Sequence, residues 1–196
     1  MVKKVVLLAL LALALPLAAF ASGIDISNHG GVLTGNNSGL TLTGSVLKIY
    51  GSSVGNDLGS LSFTTGAFTS GNAQTGGVLA GGGSFTITGN GTNGVPNGVI
   101  FSGTWQPGAT WSIVAPAGGA NGANSYTLSG TVVSNNGAVV ITSQLTFTTG
   151  KGYFNGSINL ASGDSTLAVP EPGTLSLLGT GLIGLAGVIR RKLSLS

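Results

Sequence analysis

Side chains able to titrate, ligate or attack are scarce through the middle of this 196-residue chain. Between residues 22 and 168 stand one histidine, His29, three aspartates, Asp25, Asp57 and Asp164, and two lysines, Lys48 and Lys151, with neither cysteine nor glutamate. A Ser/His/Asp triad needs its histidine held between nucleophile and carboxylate. His29 sits in Asn28-His29-Gly30, close to the expected mature N-terminus, where fraying is expected, so it reads as a loop histidine without a role. No second histidine or carboxylate cluster supports a metal, and Asn56-Asp57 lacks the further oxygens of a calcium loop. The expectation is a non-enzyme with no cofactor and no metal.

Binding chemistry has two candidate carriers. Trp105 and Trp111 flank Gln106-Pro107-Gly108 and would offer two aromatic faces at a hairpin tip, as a carbohydrate-binding module does for sugar rings. Against that, Trp105 continues the Val99 and Phe101 face and Trp111 aligns with Ile113, which makes both core residues. Thr41-Leu42-Thr43 and Thr86-Ile87-Thr88 resemble the Thr-x-Thr pairs of ice-binding solenoids, but two isolated pairs do not make an array.

The two ends carry stronger patterns. Lys3 and Lys4 precede the apolar run Val5 to Leu15, a helix-breaking Pro16 and the small-residue site Ala19-Phe20-Ala21, which together read as a signal peptide cut before Ser22. At the other end Val169-Pro170-Glu171-Pro172 leads into the uncharged segment Thr174 to Ile189 and then Arg190-Arg191-Lys192. As a helix that segment rises about 24 Å, slightly less than a hydrocarbon core, and the three cations would make up the difference by snorkelling. Its glycines, Gly179, Gly181, Gly184 and Gly187, leave a surface on which another membrane helix packs closely.

This C-terminal segment resembles the PEP-CTERM sorting domain of exported bacterial proteins: a Val-Pro-Glu-Pro motif, a short hydrophobic helix and an Arg-rich tail, in that order. The resemblance implies that a polytopic membrane protease, an exosortase, reads and processes Val169 to Pro172. It further implies a surface or extracellular-matrix protein associated with exopolysaccharide or biofilm. Such a protein would be exported across the inner membrane, held by the C-terminal helix and released to the surface after processing.

Five of the seven cations lie in those two ends, which leaves Lys48 and Lys151 against three aspartates and a net charge of −1 for the segment between. The overall pI of about 9.5 therefore describes the ends. No cationic stripe is present to neutralise phosphates, so no nucleic-acid partner is expected. Without cysteine there is no disulfide framework, and stability must come from one core.

Strands must build that core. The segment is rich in Gly, Ser, Thr and Asn, yet it alternates: Val139, Ile141, Leu145 and Phe147 fall on one face, and Tyr126, Leu128 and Val132 share another. Asn135-Asn136-Gly137 between them is a hairpin turn. The same period marks Leu40 to Tyr50, Leu61 to Thr64, Ser84 to Thr88, Val99 to Trp105, Thr110 to Val114 and Phe154 to Leu160. About eight strands with polar outer faces predict an antiparallel β-sandwich or flattened barrel, with a β-helix as the alternative. Residues 72–83 and 89–98 read as loops. An echo, Leu61-Ser62-Phe63-Thr64-Thr65-Gly66 against Leu145-Thr146-Phe147-Thr148-Thr149-Gly150, marks either two equivalent corners, a duplicated half-domain or composition alone. The expected layout is a signal peptide at 1–21, a β-rich domain at 22–168 and a sorting segment at 169–196.

Overall fold

The structure, a computed structural model, describes residues 23–115, 123–135, 137–148, 154 and 156–168. They form fourteen strands: β1 (Gly23–His29), β2 (Val32–Asn36), β3 (Gly39–Tyr50), β4 (Ser53–Val54), β5 (Gly59–Thr65), β6 (Phe68–Asn72), β7 (Gly76–Leu79), β8 (Gly83–Asn90), β9 (Asn97–Trp105), β10 (Ala109–Ala115), β11 (Ala123–Ser134), β12 (Gly137–Thr148), β13 (Gly156–Asn159) and β14 (Ser162–Ala168). Eight of them pair in the closed order β12, β14, β1, β3, β5, β8, β9, β11 and back to β12. The result is an antiparallel barrel, which leaves no open edge within the ring. Outer strands are added where β3 and β11 outrun their ring neighbours: β2 and β13 on β3, and β10, β7 and β6 on β11.

Alternation explains the layering. In β8, Phe85 and Ile87 point inward and Thr86 and Thr88 do not; in β12, Val139, Ile141, Ser143 and Leu145 are buried while Val140, Thr142 and Gln144 are exposed. One apolar cluster fills the barrel and runs out between the added strands, with Phe63, Phe85 and Trp105 at one end and Trp111, Tyr126 and Phe154 at the other.

The barrel reading holds, and four details differ. His29 is not in a frayed loop: it pairs with Val46 in β1. Residues 72–83 contain β7, and 89–98 shrink to the six residues between β8 and β9. The strands β1, β2 and β14 lacked a run of apolar alternation because a small or polar residue stands beside each inward apolar one: Asn28 beside Ile26, Gly35 beside Leu33, and Gly163 and Ser165 beside Leu167. Val99 does not share the inward face of Trp105; a bulge at the β8–β9 register shift turns it outward, where it is 66% exposed. The expected span at 174–189 lies outside the described residues, among which no helix is long and apolar enough to cross a membrane.

The pairing pattern repeats. Exchanging β1 with β9, β2 with β10, β3 with β11, β5 with β12, β7 with β13 and β8 with β14 maps the pairings of one half onto those of the other. Register is kept as well. Leu42 opposite Phe63 corresponds to Leu128 opposite Ser143, and Leu61 opposite Ile87 to Ile141 opposite Leu167. Phe85 opposite Gly103 corresponds to Ser165 opposite Ile26, and Asn28 opposite Leu47 to Trp105 opposite Val132. The barrel is thus two half-barrels, residues 23–90 and 97–168, of one design. Between β5 and β8 the first half sends β7 to pair with β10 of the second, and between β12 and β14 the second sends β13 to pair with β2 of the first.

Candidate functional site

The site begins where the barrel ends. Ala168 closes β14 and is laced on both sides, opposite Gly23 of β1 and opposite Val140 of β12. Its neighbour in the ring, Gly23, follows the expected signal-peptide cut by one residue. The described chain therefore enters and leaves the barrel on adjacent strands at one end. Gly23 and Ala168 are thus the points from which the expected signal peptide and sorting segment continue in the sequence. Ala19 and Ala21, Val169 to Pro172, and Arg190, Arg191 and Lys192 lie outside the described residues.

The remaining sequence candidates are dispersed. Trp105 and Trp111 are each 1% exposed, so the sugar-stacking reading of this pair is corrected: both rings are core. Trp111 stacks on Tyr126 with centroids 4.8 Å apart, and its Nε1–H donates to the Ala73 carbonyl at 2.8 Å. Trp105 meets Phe85 edge-on at 5.8 Å, and its Nε1 is buried without a partner. Such rings contribute packing and hold the 72–74 turn, to which the Tyr126 hydroxyl also donates at the Gln74 carbonyl, 2.8 Å away.

The titratable residues are used locally. Asp57 accepts from the Gly59 N–H at 3.0 Å and from the Asn90 amide at 3.3 Å, which pins the β8–β9 connection to the start of β5. Lys48 donates to the Asn56 carbonyl. The His29 side chain is exposed, and its carbonyl accepts from Ser45 Oγ at 3.2 Å. Among the described residues no three of His, Cys, Asp and Glu converge in a way that could hold a metal.

Among the described residues two concave surfaces stand out. One, about 400 Å³, lies on the outer face of β11, β12, β14 and β1, between Asp25, Gln144, Asp164 and Thr166. The other, an open groove of about 670 Å³, is lined by Asn36, Asn37, Ser38, Asn72, Gln74 and Phe154 and carries no charged side chain. Sequence reasoning missed this groove, because its amides come from turns far apart in the chain. Asn36 and Asn72 shape those turns by accepting backbone N–H groups two residues on, at 2.7 and 2.8 Å.

Residues 168–192 match a family model described as the PEP-CTERM protein-sorting motif. No curated protein and no solved structure matches the chain. The matched stretch starts at the last residue of β14 and carries the recognition pattern of an exosortase substrate. It marks the chain as exported to the surface or exterior, and it is a sorting signal with no catalytic part.

Proposed function

We propose that this protein is a passive structural component of the cell surface or extracellular matrix, delivered by its two ends and associated there with exopolysaccharide. In this reading the signal peptide is removed after Ala21, with Ala19 and Ala21 as the small residues the peptidase reads. The segment 174–189 then holds the chain in the membrane, with Arg190, Arg191 and Lys192 as its cytoplasmic stop. The exosortase cuts within Val169 to Pro172 and frees the barrel.

The observation that carries this is the match at 168–192 abutting a strand laced on both sides. A protease that grips an extended Val-Pro-Glu-Pro segment needs its substrate peptide presented at a defined place, and Ala168 is anchored in the sheet. Prolines at 170 and 172 each lack the N–H that a ladder pair requires, which suits a motif read as a peptide apart from β14. Near-neutrality and outward Ser and Thr suit a component that hydrogen-bonds to hydrated polymer.

Intact-mass measurement of the protein from membranes and medium of its host, beside Glu171→Ala, tests this. Loss of both ends, with a cut between Val169 and Pro172 that the variant blocks, is expected. An intact C-terminus held in the membranes of both strains would overturn it.

A further inference from the structure

The groove lined by Asn36, Asn37, Ser38, Asn72 and Gln74 is preformed. One bank is the turn between β2 and β3, where Asn36 Oδ1 accepts the Ser38 N–H at 2.7 Å and the Asn37 carbonyl accepts the Phe68 N–H at 3.1 Å. The other is the turn between β6 and β7, where Asn72 Oδ1 takes the N–H groups of Gln74 and Thr75, each at 2.8 Å. Core side chains grip that second turn from beneath: Trp111 Nε1–H donates to the Ala73 carbonyl and the Tyr126 hydroxyl to the Gln74 carbonyl, both at 2.8 Å. The same hydroxyl accepts the Phe154 N–H at 3.3 Å. Gly35 lets the banks meet, since a Cβ there would lie 2.6 Å from Phe154 Cε1 and 3.1 Å from Ala73 Cβ. Groups fixed in advance lose little freedom on binding.

What the groove offers is uncharged hydrogen bonding. With Oδ1 committed to the turns, Asn36 and Asn72 keep Nδ2 as donors, and the side chains of Asn37, Ser38 and Gln74 bond to no other described residue. Amides and hydroxyls both give and accept, as sugar hydroxyls do. Among the described residues no charged side chain lines the groove, so a phosphate or a carboxylate finds no counter-ion there. Phe154 is fully buried, which leaves its ring unavailable to an apolar ligand. A peptide could not add a strand at Gly35 either, because that residue is already paired with Leu40 on one side and Gly156 on the other.

We propose that this groove binds a short stretch of a neutral glycan chain, its amides bonding to successive sugar hydroxyls. The proposal rests on the association with exopolysaccharide, and adds where the polymer is held and that the stretch held there is uncharged. Without an exposed ring for stacking, binding depends on the amides. Loss of one neutral hydrogen bond should therefore weaken it by about 2–10-fold.

The test uses exopolysaccharide of the host, partially hydrolysed to short chains and split by anion exchange into neutral and acidic fractions. Full-length protein in nonionic detergent is titrated with each and followed by its side-chain amide signals in proton–nitrogen NMR. The neutral fraction is expected to bind and to shift the amides of Asn37 and Gln74. Asn37→Ala and Gln74→Ala should each weaken that binding by about 2–10-fold, while Gln144→Ala, on the other concave surface, should leave it unchanged. Both groove side chains are exposed, so the variants should keep the parent's near-ultraviolet circular dichroism. Equal binding of the neutral fraction by parent and both variants, or binding of the acidic fraction alone, would overturn the groove and leave the association with exopolysaccharide standing. Binding of neither fraction by the folded parent would overturn that association, and the groove with it.

Discussion

At the scale of single residues the two tryptophans make a controlled pair. Both are buried to 1% exposure, yet Trp111 donates to Ala73 while Trp105 Nε1 has no partner. Trp111→Phe leaves the Ala73 carbonyl without that donor, which costs about 1–3 kcal/mol beyond the lost ring area. Trp105→Phe loses similar area but removes a donor that was buried unpaired. Urea unfolding should therefore show Trp111→Phe less stable than Trp105→Phe by about 1–3 kcal/mol; equal losses would mean that the Trp111 bond contributes nothing. The burial of both rings was legible in the sequence from their place in alternating runs. That Val99 would leave the face of Trp105 was not, because a bulge adds one residue to β9 and a periodicity count cannot see it.

At the scale of elements, the joint between β1 and β14 depends on Gly163 yielding space to Asn28, whose Nδ2 donates to Ser45 Oγ at 2.6 Å. Gly163→Ala should destabilise by about 1–3 kcal/mol through crowding. In an Asn28→Ala background the same change should cost much less, a coupling of about 1 kcal/mol or more in a double-mutant cycle. Additive losses would show that the two positions do not press on each other. The duplication was half legible. The Leu61 to Gly66 echo does fall on equivalent strands, but it is out of register, since the counterpart of Leu61 is Ile141 rather than Leu145. A better echo is Thr41-Leu42-Thr43-Gly44-Ser45-Val46 against Thr127-Leu128-Ser129-Gly130-Thr131-Val132, in which Leu42 and Leu128 are true counterparts. It slips by one after Gly44, whose φ of +69° accompanies a bulge in β3 absent from the β11–β12 pairing. The bulge hid the repeat from a scan for fixed spacing.

At the scale of the whole molecule, the sequence separated handling from content. The sorting segment was readable because its prolines, uncharged run and basic residues stand in a fixed order, which residues 168–192 match to the sorting-motif family. The barrel's partner was not, because its outer faces carry Ser, Thr and Asn, which any solvated sheet uses. What the barrel does make plain is its topology as a curve. Gly23 and Ala168 are opposite one another in the ladder, so a bond between them would close the backbone with almost no loop to order. That junction corresponds to the β8–β9 hairpin, because the two half-barrels share one design. Which half comes first is then a convention of the gene. A circular permutant that joins Ala168 to Gly23 through a short linker and begins at Asn97 should fold to the same barrel. Its near-ultraviolet circular dichroism should match the parent's, and its melting point should lie within several degrees. A permutant that fails to fold would show that the halves must be made in their present order.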